Sequence, residues 1–221
     1  MMNRWLTLFA ALCAGWSSAR AGSPFVDAAS IVPGLSVEMR YAGSHNFVGR
    51  PIAGYEAPRC LLTRQAARAL ARAQADLARR GYGLKVFDCY RPTRAVADFM
   101  AWAADPAETR MKAEFYPRID KRDLFRLGYI ATHSAHSRGS TVDLTLMRLN
   151  RGEVDMGTPF DWFGPESAPG WRRLDPAQLV ARGTLRAAMI RAGFRPYAQE
   201  WWHFTLAGEP HPTTAFDQLV R

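Results

Sequence analysis

Cysteine is scarce in this chain: three in 221 residues. That excludes a disulfide-dense mini-scaffold and a Cys-rich structural zinc cluster. There is no internal repeat, no low-complexity segment and no linker that would split the chain, so one compact domain is expected rather than a solenoid or a string of modules. Beyond the first sixteen residues no apolar stretch is long enough to span a bilayer. Several catalytic signatures are also missing. The chain contains no His-Glu-x-x-His, no Gly-x-Ser-x-Gly nucleophile elbow and no glycine-rich phosphate loop.

What is present begins with a leader. Residues 1–4 are short and basic, residues 5–16 are apolar, and Ala19-Arg20-Ala21 supplies an A-x-A cleavage pattern. This reads as a secretory signal peptide over residues 1–21, too short for a membrane span. Leu12 before Cys13 does not suit a lipoprotein signature. Residues 22–221 are then the mature domain, periplasmic or secreted, with no stable membrane insertion after cleavage. Cys13 leaves with the leader, so Cys60 and Cys89 remain. In an oxidising compartment an even pair reads as one disulfide, with two buried thiols as the alternative. A disulfide there would also disarm Cys89 as a nucleophile.

The formal net charge is +9. Much of the excess, Arg64, Arg68, Arg72, Arg79 and Arg80, is interleaved with alanine on one helix pattern. This reads as a solvated face with at most a weak pull on an anionic envelope polymer. Nucleic acid is not an expected partner of an exported chain.

Thr63 is a good N-cap for a helix over 64–80, and Gly81 stands just past its end. Residues 84–90 read as a strand stopped by Pro92, residues 94–103 as a helix stopped by Asp105-Pro106, and residues 142–147 as an alternating strand. Asp175-Pro176 opens a third long helix that Gly193 ends, and residues 202–206 read as a last strand. Strands and helices mix without a regular βαβ rhythm. The expected class is α+β, with helices packed against a mostly antiparallel sheet. Residues 152–169, rich in Gly, Pro and Asp, read as a long and functional loop.

The chemistry lies in two segments. Ser134-Ala-His136-Ser-Arg-Gly139-Ser-Thr-Val-Asp143 offers an imidazole and a carboxylate, and Glu200-Trp-Trp-His203 offers one of each again. Two imidazoles, a carboxylate ligand, an open position for water and a spare carboxylate as base make up a hydrolytic zinc site. His136 and Asp143 on one straight strand would be about 23 Å apart. They converge only if the chain turns between them, and Gly139 is free to supply that turn. Glu200 and His203 would face opposite ways on an ideal strand, so a bend near Trp201 is required.

These residues resemble a known family. Ser-x-His-x-x-Gly-x-x-x-Asp followed by Glu-x-Trp-His is similar to the zinc D-alanyl-D-alanine dipeptidases, the group that includes the vancomycin-resistance dipeptidase. The segments around Tyr41 to Gly49, Gly54-Tyr55-Glu56, Asp88 to Pro92 and Met156 to Asp161 match as well, in the same order. The resemblance implies one Zn2+ per chain on His136, Asp143 and His203, with Glu200 as general base. It implies that Arg91 lies beside the scissile carbonyl, which suits a guanidinium that cannot deprotonate. It implies that Asp161 meets the free amine of a small D,D-dipeptide, and that Tyr55 and Ser134 contact substrate. Tyr41 aligns without a role, and His45 and His133 read as structural. The implied activity is hydrolysis of D-Ala-D-Ala or a similar dipeptide in cell-wall peptide turnover. The alternative is a D,D-carboxypeptidase or peptidoglycan endopeptidase with the same zinc set. The leader and the Cys60/Cys89 pair depart from the cytoplasmic resistance enzyme and suggest an exported branch.

Overall fold

A computed structural model describes residues 23–221; the expected leader, residues 1–21, lies outside the described residues. A two-stranded antiparallel ribbon pairs β1 (Phe25–Asp27) with β3 (Leu61–Thr63). The main sheet runs β2 (Ser36–Val37), β4 (Tyr82–Asp88), β5 (Thr141–Arg148), β8 (His203–Leu206) and β7 (Phe194–Pro196), with β6 (Gly152–Glu153) on the far end of β5. Only β2 and β4 are parallel; the other pairs of this sheet are antiparallel. The helices are α1 (Arg64–Ala78), α2 (Thr93–Ala104), the single turn α3 (Lys112–Phe115) and α4 (Pro176–Arg191). The class is α+β, as the sequence pattern implies. Among the described residues no helix is long and apolar enough to cross a membrane.

The helices form for local reasons. The Thr63 side chain accepts from the Ala66 N–H and caps α1, whose buried stripe is Ala66, Leu70, Ala73 and Leu77. The helix stops at Ala78, two residues short of the expected end, and Gly81 turns the chain at φ 78° into β4. Asp175 and Gln178 close a capping box at the start of α4, with Pro176 in the first turn. Strand β4 begins at Tyr82 and ends at Asp88, earlier at both ends than residues 84–90. The register slips between Val86 and Asp88, and the backbone of Cys89 and Tyr90 turns away to other partners.

The sheet register positions the site. Asp88 pairs with Asp143 across β4 and β5, and Asp143 pairs with His203 across β5 and β8. Three chemistry-bearing residues therefore lie abreast on neighbouring strands. The fourth arrives through a short 3₁₀ turn, Ala135–Arg138, which Ser134 caps by accepting from the His136 N–H. Gly139 ends that turn at φ 74°. A Cβ at this position would lie 2.1 Å from Cε1 of Phe25. Gly139→Ala should therefore cost about 1–2 kcal/mol for the left-handed backbone alone, before any displacement of Phe25. A fall of at least about 2 °C in thermal midpoint is expected. An unchanged midpoint would remove the steric role given to this glycine.

Candidate metal centre and its cavity

His136, Asp143 and His203 converge as the sequence spacing required. The His136 Nε2 lies 3.2 Å from Asp143 Oδ2 and 3.3 Å from His203 Nδ1. His203 Nδ1 lies 3.1 Å from Asp143 Oδ1. Donors held at zinc distances in a tetrahedral arrangement are about 3.3 Å from one another, so the three side chains fit one metal ion without rearrangement. Two further observations support the fit. Among the described residues Asp143 Oδ1 is buried with no well-aligned hydrogen-bond partner, although His203 Nδ1 is close, and such an oxygen is costly unless something else satisfies it. The His136 Nδ1 lies 2.7 Å from the Cys89 carbonyl oxygen. A carbonyl only accepts, so Nδ1 carries the proton and Nε2 presents a free lone pair to the centre.

The electrostatics match that arrangement. Burial acts to raise the Asp143 carboxyl, but the imidazoles of His136 and His203 outweigh it and hold the carboxyl well below the usual range. Burial pushes Glu200 up to about 7, with His203 opposing and Asp143 adding to the rise. A carboxyl poised near neutrality is suited to both accepting and returning a proton. Glu200 reaches this place through a tight turn: the His203 N–H donates to the Glu200 carbonyl at 3.4 Å. The expected bend near Trp201 is thus a full turn, and β8 begins only at His203. The Glu200 Oε2 sits 3.5 Å from His203 Nδ1, beside the ligand group.

Arg91 projects into the same cavity from just beyond β4. Its Nε and Nη2 both donate to Asp88 Oδ2, at 2.9 and 2.8 Å, and its Nη1 donates to Ser134 Oγ at 3.5 Å. The guanidinium lies over the rings of Tyr41 and Phe99. Burial alone would lower its pKa, but Asp88 and its neighbours hold it well above the ordinary value. The side chain is therefore a fixed cation.

A cavity of about 380 Å³ joins these groups, with Arg91, Asp161, Ser134, Glu200 and the three candidate ligand residues in its wall. Asp161 sits in the irregular 154–164 stretch of the expected loop, at φ 60°, and is only 6 % exposed. It accepts from the Tyr41 hydroxyl at 2.8 Å. Burial, reinforced by Asp143, pushes its carboxyl well above the usual range. A cationic ligand group placed here would supply the missing counter-charge. Arg182 braces the loop by donating to the carbonyls of Met156, Glu166 and Ala168. Trp201 fastens the loop to the Glu200 turn through Thr158 and Ser167.

Not every expected residue reaches the cavity. Tyr55 does not line it; its buried hydroxyl donates to Asp88 Oδ1 at 2.6 Å. The substrate contact expected of Tyr55 is replaced by a bond that holds the carboxylate holding Arg91. His133, read as structural, is exposed and lines the cavity mouth. His45 lies outside, against Glu114 and Arg40. Asp88 is a site residue that sequence reasoning misses. Its complete burial, 0 % exposed, could be inferred only from its place beside an apolar run. Cys60 and Cys89 are joined by a disulfide.

A hydrolytic constellation with one candidate metal position, a neighbouring carboxyl and a buried guanidinium is thus built into one α+β domain. The family model described as D-ala-D-ala dipeptidase (peptidase M15) matches residues 22–221. A D-alanyl-D-alanine dipeptidase of Streptomyces coelicolor is 44% identical over 194 residues, covering 87% of this chain and 95% of that protein. One of Enterococcus faecium is 42% identical over 201 residues, covering 90% of this chain and 98% of its own length. A solved structure of a vancomycin-resistance D,D-pentapeptidase with Zn(II) is 16% identical, with a TM-score of 0.34, over 67% of this chain and 74% of that one; so distant a likeness carries no argument. The chain belongs to the D-alanyl-D-alanine dipeptidase family.

Proposed function

We propose that this protein is an exported zinc dipeptidase that cleaves D-Ala-D-Ala, or a similar D,D-dipeptide, to free D-amino acids in cell-wall peptide turnover. The observation that carries the substrate reading is Asp161: a buried carboxyl, without an ion-pair partner among the described residues, in the wall of the cavity that holds His136, Asp143, His203 and Glu200. The ligand set supports zinc, being two imidazoles and a carboxylate at tetrahedral donor spacing. When bound, zinc supplies Lewis-acid polarisation of the scissile carbonyl and a lowered pKa for the attacking water.

The chain's own residues do the rest. Glu200 takes the proton of the attacking water on its carboxylate and returns it to the leaving amine. Arg91, held flat by Asp88, presents its fork to the oxygen on which negative charge develops. Asp161, with Tyr41 fixing one of its oxygens, pairs with the substrate ammonium. Ser134, next to Arg91, offers a further polar contact in the cavity wall. Tyr55 acts through Asp88. Export is supported by the leader pattern in residues 1–21 and by the Cys60–Cys89 disulfide.

Asp161→Ala should harm free-dipeptide hydrolysis far more than hydrolysis of the same dipeptide N-acylated. Charge-assisted pairing is lost only when the substrate carries an ammonium, and an acylated amine has none. Loss of a charged hydrogen bond of about 1.5–3 kcal/mol corresponds to roughly 10–150-fold in kcat/KM. Kinetics on the matched pair decide. Parallel losses on both substrates would favour the carboxypeptidase or endopeptidase reading instead.

A further inference from the structure

Three chain segments meet behind the ligand residues. From β3, the Leu61 carbonyl accepts from the Tyr90 N–H at 2.9 Å, and the Thr63 N–H donates to the Gly139 carbonyl at 2.7 Å. From the end of β4, the Cys89 carbonyl meets His136 Nδ1 at 2.7 Å, and the Arg91 N–H donates to the His136 carbonyl at 3.3 Å. The 3₁₀ turn that carries His136 is therefore gripped from both sides. Residues 89–91 hold its ring and its backbone. Residues 61–63 hold residues 89–91 on one side and the Gly139 end of the turn on the other. The Cys60–Cys89 disulfide joins these two gripping segments covalently, and both cysteines are 0 % exposed. Cys60 is itself anchored, since its carbonyl accepts from the Ala28 N–H at 2.8 Å.

We infer that the Cys60–Cys89 disulfide is a positioning element of the metal site: it fixes the Cys89 carbonyl that aims the His136 ring and sets its tautomer. The inference rests on the reading above that His136 is a zinc ligand. The physical argument runs through the carbonyl. Partners that orient a ligating imidazole set its direction and basicity, and they matter to metal affinity nearly as much as the ligand does. Here that partner is a main-chain oxygen, so its position is only as fixed as the backbone at residue 89. Hydrogen bonds such as Tyr90 to Leu61 open in local fluctuations. A covalent bond at Cys89 itself keeps the two segments together through such openings. The ligand geometry is then preformed before the ion arrives. The staple sits on the residue whose carbonyl meets the His136 ring, where a bond serving stability alone has no reason to be.

The test uses Cys60→Val, Cys89→Ala and the double variant of the mature protein, with zinc affinity measured by competition against a chromogenic chelator. The metal-free proteins are also compared by the proton resonance on His136 Nδ1. Among the described residues the hydrogen bond of Cys60 goes to Ala28 and not to a candidate ligand residue, so its effect reports coupling through the bond. All three variants should weaken zinc binding equally, by about tenfold or more, and the Nδ1 proton resonance should broaden. Leu185→Ala, on the buried face of α4, should lower the thermal midpoint and leave the zinc dissociation constant where it was. Zinc affinity within twofold of wild type in the cysteine variants overturns the inference, as does an equal loss in Leu185→Ala. If the cysteine variants do not fold, wild-type protein reduced in low denaturant and then reoxidised serves instead. Zinc affinity should fall and return, and an affinity that does not move overturns the inference equally. These readouts need no substrate. A wild-type protein that binds zinc but cleaves no D,D-dipeptide removes the substrate assignment alone, whereas active wild type with unaltered zinc affinity in the variants removes this inference alone.

Discussion

Glu200→Gln should retain zinc and lose turnover by about 10²–10⁴-fold. Glu200 stands beside the ligand group and not within it: the three mutually close ligand atoms belong to His136, Asp143 and His203. Its carboxyl, lifted to about 7 by burial, is what the reaction needs, because one group must accept a proton from water and then release it to an amine. The amide of glutamine keeps shape and polarity but accepts no proton at neutral pH. The loss should appear in kcat more than in KM, since the group acts on the reacting atoms. His203→Ala provides the contrast: it should lower zinc content under mild chelation. A Glu200→Gln protein that lost its zinc while wild type kept it would place Glu200 among the ligands.

Arg91→Lys should be nearly as inactive as Arg91→Ala, with a loss of about 10²–10³-fold, the usual cost of removing one donor to a developing oxyanion. The structure explains why a lysine cannot substitute. The guanidinium directs Nε and Nη2 to Asp88 and still has Nη1 facing Ser134 and the cavity. An ammonium is a point charge that can satisfy Asp88 or reach into the cavity, not both. Asp88→Asn should reproduce part of the loss, because it frees the fork to move. Near-normal kcat in the Arg91→Lys enzyme would reduce Arg91 to a strand-end ion pair.

Much of this architecture was legible because the determinants are local. Thr63, Gly81, Asp175-Pro176 and Gly193 punctuate the long helices, and each acts within a few residues. Gly139 could be read as a turn because His136 and Asp143 have no other way to meet. The remaining features depend on distant pairs. The Tyr41 bond to Asp161 spans 120 positions, and the Cys89 carbonyl that holds His136 is 47 positions away. No periodicity encodes such contacts. Tyr55 illustrates the limit: its place in a matching motif suggested substrate, but with the residue only 6 % exposed its hydroxyl needs an internal acceptor, and Asp88 is that acceptor. The strand limits at Asp88 and His203 moved for a related reason. The register slip after Val86 and the turn at Glu200 release backbone that serves the site instead of the sheet.

The central claim, a zinc site closed at the amine end around a D,D-dipeptide, is tested most directly by one assay. Zinc-replete protein is incubated with D-Ala-D-Ala, L-Ala-L-Ala and a peptidoglycan pentapeptide ending in D-Ala-D-Ala, and free amino acid is measured over time. The account predicts rapid release of D-alanine from D-Ala-D-Ala, abolished by chelation and restored by zinc, with little release from the other two. Release from the pentapeptide at a rate equal to or above that from the free dipeptide would contradict it.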